Sequence, residues 1–214
     1  MNKTVHIILD YGHGCNCPGK CSPDQSFYEW KFTRDVGKEI AKRLMAMGYT
    51  VHETWVQDHE PTTDPKKTCT KKQLDNALNY RWKEVNRLCS QFGASNCVSV
   101  SIHANAAGGD GKWHDATGFC VMVGRKASIN SKKLARKIYD AADRRGLRGN
   151  RCVPPERFWT QGLAMCDCTN CPAVLTESLF YDNKSDLAIL KSAEGKAKIV
   201  DLHVDAITKY VESL

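Results

Sequence analysis

The chain has 214 residues, 42% of them apolar and 26% charged, with a formal net charge of +7. That length buries a substantial core and that composition excludes wholesale disorder, while apolar runs of only a few residues exclude a membrane-spanning helix. The positive charge favours polyanionic partners, nucleic acid or the anionic polymers of a bacterial wall. No aromatic-rich RNA-binding signature accompanies the basic clusters Lys66-Lys67/Lys71-Lys72, Lys132-Lys133 and Arg144-Arg145/Arg148, which argues against nucleic acid and for solvated helix faces.

In chain order, Val5 to Leu9 reads as a buried strand. It is stopped by Asp10-Tyr11-Gly12-His13-Gly14, a histidine between two glycines, an arrangement that lets the backbone turn sharply and clears side chains from around the ring. A Cys-, Gly- and Pro-rich loop follows (14–26). Val36, Ile40, Leu44 and Met47 share one face of a helix over Glu29–Met47, with Gly48 as its stop. Tyr49 to Val56 alternates as a strand, and Gln57 to Lys72 is a polar loop. Leu74, Leu78, Val85, Leu88 and Phe92 mark a second amphipathic helix, ended by Gly93.

Cys97 to Ile102 is a β-branched run, a buried strand stopped at His103. Ala104 to Thr117 reads as a loop and Gly118 to Val123 as a strand. Leu134, Ile138 and Ala142 mark a third helix ending near Gly146. Arg148 to Gln161 is irregular, Leu163 to Cys166 reads as a short strand, and Pro172 to Thr176 as a strand closed by Glu177. A short helix over Ser185–Leu190 precedes a last one whose apolar face is Ile199, Leu202, Ala206, Ile207 and Tyr210. Strands alternating with helices predict an α/β fold: one domain over 1–214, with a mostly parallel twisted sheet of about six strands flanked by helices. No repeat, low-complexity tract, linker or separate cell-wall-binding domain is visible.

Met1-Asn2-Lys3 runs almost directly into the first strand, leaving no room for a signal peptide. The expectation is a protein kept in the cytoplasm, or released by another route, or one whose signal was trimmed away. Eleven cysteines is an odd number, so they cannot all pair within the chain, and free thiols in a reducing compartment are the default.

In α/β sheets, chemistry collects at the carboxyl ends of the strands. His13, His103 and Glu177 each follow a predicted strand, and the loop after His13 can bring Glu29 back over the sheet. Two histidines and one glutamate match a catalytic zinc ligand set with an open fourth position, and a further carboxylate is the base such chemistry needs. Each has a plainer reading: His13 as a turn residue, Glu29 favouring a helix dipole, His103 as a satisfied buried histidine, Glu177 as a turn cap. Three strand ends offering one chemistry are harder to explain that way.

Leu9-Asp10-Tyr11-Gly12-His13-Gly14, Glu29, Ser101-Ile102-His103-Ala104-Asn105 and Pro172-Ala173-Val174-Leu175-Thr176-Glu177-Ser178-Leu179-Phe180 together resemble the motif set of the zinc-dependent N-acetylmuramoyl-L-alanine amidases of the Amidase_3 type. The similarity continues through Tyr181-Asp182-Asn183, Asp186 and Leu190, and Arg81 and Asn86 resemble the family's helix before the His103 strand. The resemblance implies His13, Glu29 and His103 as zinc ligands and Glu177 as the catalytic carboxylate. Asp10 and Asn105 would position ligands or substrate. The implied reaction cleaves the amide between N-acetylmuramic acid and the L-alanine of the stem peptide. The implied partner is bacterial peptidoglycan, met by a monomer without membrane insertion, as in phage or prophage endolysins that wait in the cytoplasm. An autolysin is the rival on localisation. A zinc carboxypeptidase-like peptidase and a non-catalytic zinc or wall-binding module are the rivals on function.

The sequence departs from that pattern at two cysteine triplets, Cys15, Cys17, Cys21 and Cys166, Cys168, Cys171. Their spacings are metal-like but fit no standard zinc finger. The plainer reading is local thiols. The sharper expectation is that the two loops meet near the active site and share a disulfide or a second, structural metal. Trp113, His114, Phe158 and Trp159 lie on loops that could pack against sugar or stem peptide, with ordinary loop packing as the alternative.

Overall fold

The computed structural model describes residues 4–14, 17–55 and 71–214, with backbone only at 71–76. Its elements in chain order are β1 (His6–Tyr11), α1 (Glu29–Ala46), β2 (Thr50–Thr54), α2 (Lys71–Phe92), β3 (Cys97–Asn105), β4 (Cys120–Val123), α3 (Ile129–Asp143), β5 (Trp159–Thr160), α4 (Ala164–Asp167), β6 (Ala173–Phe180), α5 (Lys184–Lys191) and α6 (Ala193–Val211). The polar loop expected from Gln57 lies outside the described residues up to 70, and Lys71 already belongs to α2.

The six strands form one sheet in the order β2-β1-β3-β6-β4-β5. β2, β1, β3 and β6 pair in parallel, β4 runs antiparallel to β6, and β5 is parallel to β4. The mostly parallel α/β sheet is therefore as expected. Alternate residues of each strand enter opposite layers. Ile7, Leu9 and Tyr11 of β1 and Val98, Val100 and Ile102 of β3 join the larger core, with Phe32, Val36, Ile40 and Leu44 of α1, Leu134 and Ile138 of α3, and the apolar face of α6. Ile8, Cys97, Val85, Leu88, Cys89, Met165 and Cys171 form a smaller core beneath α2 and α4. Strands covered on both faces read as the unbroken apolar runs seen in the sequence. Among the described residues, no helix is long and apolar enough to cross a membrane.

Two expectations need correction. The run Leu163–Cys166 is not a strand: it lies in α4, whose Asp167 Oδ2 accepts from the Leu163 amide at 2.9 Å while Met165 buries against the α2 layer. Four residues carry too little periodicity to tell the two apart. β3 and β6 also run further than predicted, to Asn105 and Phe180, so His103 and Glu177 sit inside paired strands rather than beyond them. A β-bulge follows: His103 pairs with Glu177 but Asn105 pairs with Phe180, and Leu179 takes the left-handed region at φ 65°. The extra residue re-aims the strand at the point where Glu177 is presented.

α3, α5 and α6 open on Ser128, Asn183 and Ser192, whose side chains accept from backbone amides of the first turn and satisfy donors the helix itself leaves free. On α6, His203 is fully buried between the Ile199 carbonyl, 2.7 Å from Nδ1, and the Thr176 hydroxyl, 3.0 Å from Nε2. Burial lowers its pKa from 6.5 to about 4, against the smaller opposing effect of the Ile199 carbonyl. The unfolded chain therefore binds a proton that the native state refuses. Stability present above about pH 6.5 is expected to fall by roughly 3 kcal/mol as the pH drops toward 4. Denaturant titrations at several pH values check this, with His203→Gln expected to lose that part of the slope; an unchanged slope would assign it to other groups.

Candidate metal centre

The site is built where β1 ends beside β3. The Gly12 amide donates to the Ile102 carbonyl at 3.0 Å, which carries the β1–β3 pairing one residue further. Gly12 is required there: a Cβ would lie 2.4 Å from Cε1 of His103, whose ring packs over the glycine. His13 then turns out of the sheet with φ 60°. Such a conformation costs a non-glycine residue of order 1–3 kcal/mol and persists only when the surroundings hold it. α1 supplies that hold. Thr33 Oγ1 donates to the Gly12 carbonyl at 2.9 Å and Arg34 Nη1 to the His13 carbonyl at 3.1 Å.

The first turn of α1 delivers Glu29. No side chain caps this helix; its start is fixed by an antiparallel bridge between Cys21 and Tyr28 and by the Glu29 amide donating to the Lys20 carbonyl at 3.0 Å. The Cys-rich loop thereby folds back over the sheet. Glu29 is 1% exposed, so its place in the first turn is more than a surface charge favouring the helix dipole. Oε1 accepts from the Ala104 amide at 3.1 Å and lies 3.0 Å from His103 Nδ1; Oε2 lies 3.4 Å from His13 Nε2. The two imidazoles meet edge to face at 4.9 Å.

His13, Glu29 and His103 each offer one ligand atom, all within 4.8 Å of one another. Tetrahedral bonds of about 2.0–2.1 Å to one ion imply ligand separations of about 3.4 Å; the two Glu29–histidine pairs, 3.0 and 3.4 Å, are close to that. The electrostatics agree. Burial pushes the Glu29 carboxyl up, but the flanking His13 and His103 outweigh it and keep it ionised. Burial lowers His13 to about 3, so its ring is neutral at neutral pH. An ionised carboxylate beside a neutral imidazole is the protonation state a metal demands. His103 Nε2 is buried without a partner, a costly condition for a polar atom that a bound group would relieve. The donor set fits a divalent cation.

Glu177 faces this cluster from β6, opposite His103 on β3 and Cys120 on β4. Its Oε2 is likewise buried with no partner. Burial, and then the negative charge of Glu29, raise its pKa well above the ordinary carboxylate range, with Lys20 opposing. The four residues expected from the sequence, His13, Glu29, His103 and Glu177, thus come together at one end of the sheet.

The other expected residues are placed differently. Asp10 is fully buried, accepting from Thr54 Oγ1 at 2.9 Å, Arg81 Nη1 at 2.8 Å and Ser101 Oγ at 2.5 Å. It anchors α2 and β2 beneath the turn, and Arg81 also donates to the Tyr11 carbonyl at 3.3 Å. The Asn105 side chain bonds the Cys120 thiol and accepts from the Ala106 amide at 2.9 Å. Asn86 holds the 168–170 loop, donating to the Cys168 carbonyl and accepting from the Asn170 amide, both at 2.8 Å.

Among the described residues, the two cysteine triplets share neither a disulfide nor a metal-sized cluster. The first follows the carboxyl end of β1 and the second precedes the amino end of β6, and those strands run parallel through β3. Cys171 and Glu177 lie six positions apart along the extended chain, about 20 Å. Cys15 lies outside the described residues; among the described residues, Cys17, Cys21, Cys166, Cys168 and Cys171 form no disulfide. Cys17 Sγ stands 3.3 Å from His13 Nδ1, whereas the Cys171 thiol bonds Cys89, which in turn bonds Cys97. Of the loop aromatics, Phe158 is buried, Trp113 carries Lys184 Nζ at 5.5 Å and Trp159 the Arg151 guanidinium at 5.4 Å. His114 Nε2 pairs with Asp110 Oδ1 at 2.9 Å.

Sequence reasoning missed Thr33 and Arg34, which brace the His13 turn, and Lys20, whose charge reaches Glu177; Tyr181, named within a motif, donates its hydroxyl to the Gly19 carbonyl at 3.2 Å. Only tertiary proximity joins these residues to the cluster. Their sequence neighbours, Glu29 and the 172–180 run, were the available signal.

The fold matches known proteins closely. The structure superposes on the CwlD amidase of Clostridioides difficile, solved in complex with the GerS lipoprotein, with a TM-score of 0.80 at 21% identity, covering 99% of this chain and 100% of that one. It superposes on the N-acetylmuramyl-L-alanine amidase Ami1 of Mycobacterium smegmatis with a TM-score of 0.75 at 19% identity over 100% of both chains. The catalytic domain of the CD27L endolysin, which targets C. difficile, gives 0.67 at 20% identity, covering 96% of this chain and 97% of that one. No curated protein sequence matches. The family model for N-acetylmuramoyl-L-alanine amidase, Amidase_3, matches residues 7–209, so the chain belongs to that amidase family.

Proposed function

We propose that the chain is a zinc-dependent peptidoglycan hydrolase that cleaves the amide between the lactyl group of N-acetylmuramic acid and the L-alanine of the stem peptide. The observation that carries this reading is Glu177: a buried carboxylate oxygen with no partner, placed beside a three-donor cluster at the carboxyl end of the sheet. A non-catalytic metal or wall-binding module has no use for such a group.

An unactivated amide is a poor electrophile, and water at neutral pH is a poor nucleophile. Zinc bound by two histidines and a glutamate supplies Lewis acidity toward the carbonyl and toward water. His13, Glu29 and His103 would hold it. Glu29 is kept in place by the Ala104 amide, and the His13 turn by Thr33 and Arg34. Glu177 is the proton carrier. Its buried, partnerless carboxylate oxygen beside the cluster is placed to take a proton from the attacking water and return it to the departing amine of L-alanine. No covalent enzyme intermediate is needed, and none of the thiols has to act as a nucleophile.

Digestion of purified peptidoglycan, with the products weighed by mass spectrometry, tests the bond. Intact glycan strands and stem peptides with a free L-alanine amine are expected; disaccharide-peptides or trimmed stems would overturn the assignment. Metal analysis is expected to find one zinc per chain. A strong chelator should abolish both zinc content and turnover, with zinc restoring them, whereas full activity in the metal-free protein would remove the metal from the reaction.

A further inference from the structure

Arg151 bonds the thiol of Cys120, the cross-strand neighbour of Glu177. Its predecessor Asn150 fixes the backbone there: the Asn150 amide donates to Thr117 Oγ1 at 3.0 Å, and its side chain accepts from the Thr117 amide at 2.9 Å and donates to the Asp115 carbonyl at 2.8 Å. The Arg151 guanidinium lies 5.4 Å from the ring centroids of both Trp159 and Phe180. Asn105 bonds the same Cys120 thiol. Among the described residues, Arg151 forms no ion pair with a carboxylate, unlike Arg43, Arg81, Arg87, Arg144, Arg145 and Arg157.

A guanidinium has five N–H donors in a rigid fork. Stacking against aromatic faces fixes the plane of that fork without using its donors. Held against two rings and with no ion-paired carboxylate among the described residues, Arg151 has donors left for two parallel hydrogen bonds to an external carboxylate. In a muramoyl peptide, the lactyl carboxyl group is consumed in the scissile amide, and the remaining carboxylates belong to the stem peptide.

We infer that Arg151 is a specificity-determining residue that binds a carboxylate of the stem peptide, on the amine side of the bond that is cut. This rests on the amidase reading above. It makes the enzyme sensitive to a chemical variation of the substrate, conversion of stem carboxylates to primary amides. The amide form loses the charge and one of the two acceptors.

Two soluble muramoyl peptides test it, one with the stem carboxylates free and the other with them amidated, each with the wild type, Arg151→Gln and Arg151→Lys. Wild type is expected to favour the free carboxylate by about 10- to 100-fold in kcat/KM, chiefly through KM, as for a hydrogen bond to a charged group. Arg151→Gln should bring that ratio close to one, and Arg151→Lys should keep part of it, having the charge without the fork. A wild type indifferent to amidation overturns the inference while leaving the amidase reading intact. So does a glutamine variant that loses activity equally on both substrates, since that marks a purely structural role. Cleavage of neither substrate by the wild type overturns both.

Discussion

Replacing Glu177 with glutamine is expected to lower kcat by about 10²–10⁴-fold, the usual contribution of a positioned acid–base group, while zinc content stays at one per chain. The substitution keeps the size of the side chain and removes its capacity to carry a proton. It should also be structurally mild. The burial and the Glu29 charge that raise the pKa of Glu177 disfavour its ionised form, so an uncharged isostere relieves that tension rather than adding to it. Glu177→Gln is accordingly expected to fold at least as well as wild type, and thermal unfolding beside turnover would separate the two effects. Retained turnover would remove Glu177 from the reaction. Loss of zinc along with activity would make it part of the ligand set instead.

The second large effect concerns stability. Arg81 and Asp10 form a buried ion pair at 2.8 Å, 6% and 0% exposed. Replacing Arg81 with methionine leaves the Asp10 carboxylate in the sheet interior with, among the described residues, the hydroxyls of Thr54 and Ser101. Breaking a buried pair on one side typically costs about 3–5 kcal/mol, and denaturant unfolding of Arg81→Met is expected to show a loss of that order. The double variant Asp10→Asn/Arg81→Met should recover part of it, because no unpaired charge remains. A cost under about 1 kcal/mol for the single change would show that the carboxylate finds other partners or a proton. Zinc affinity should fall with the single variant too, since Arg81 also holds the Tyr11 carbonyl, one residue before Gly12 and two before His13.

Both predictions turn on residues whose type was legible in the sequence and whose setting was not. Asp10 before the Gly-His-Gly turn could have been a group touching metal or substrate. Its neighbours on β2, β3 and α2, all distant in sequence, make it the anchor of the turn. Asn86 and Asn105 changed in the same way, from motif residues to a loop clamp and a partner of Cys120. The cysteine triplets mislead for a related reason. Spacing within a loop says how thiols are strung along the chain, and only strand direction says which end of the sheet each loop reaches. Arg151 gave no signal at all, because its two aromatic partners and its thiol lie on three separate elements.

Local and periodic information sufficed for a good deal. Unbroken apolar runs alternating with amphipathic helices specify a parallel sheet covered on both faces, since such strands cannot face water. His13, Glu29, His103 and Glu177 were legible because each sits at a place the local pattern marks: a glycine-flanked turn, a helix start, and the ends of two apolar runs. Tertiary structure decided the rest. The extension of β3 and β6, the bulge at Leu179, the helical α4, the separation of the two cysteine loops and the setting of the Arg151 guanidinium all depend on which elements pair and in what register. Pairing energy comes from contacts between residues far apart in the chain, and no window of sequence contains both partners.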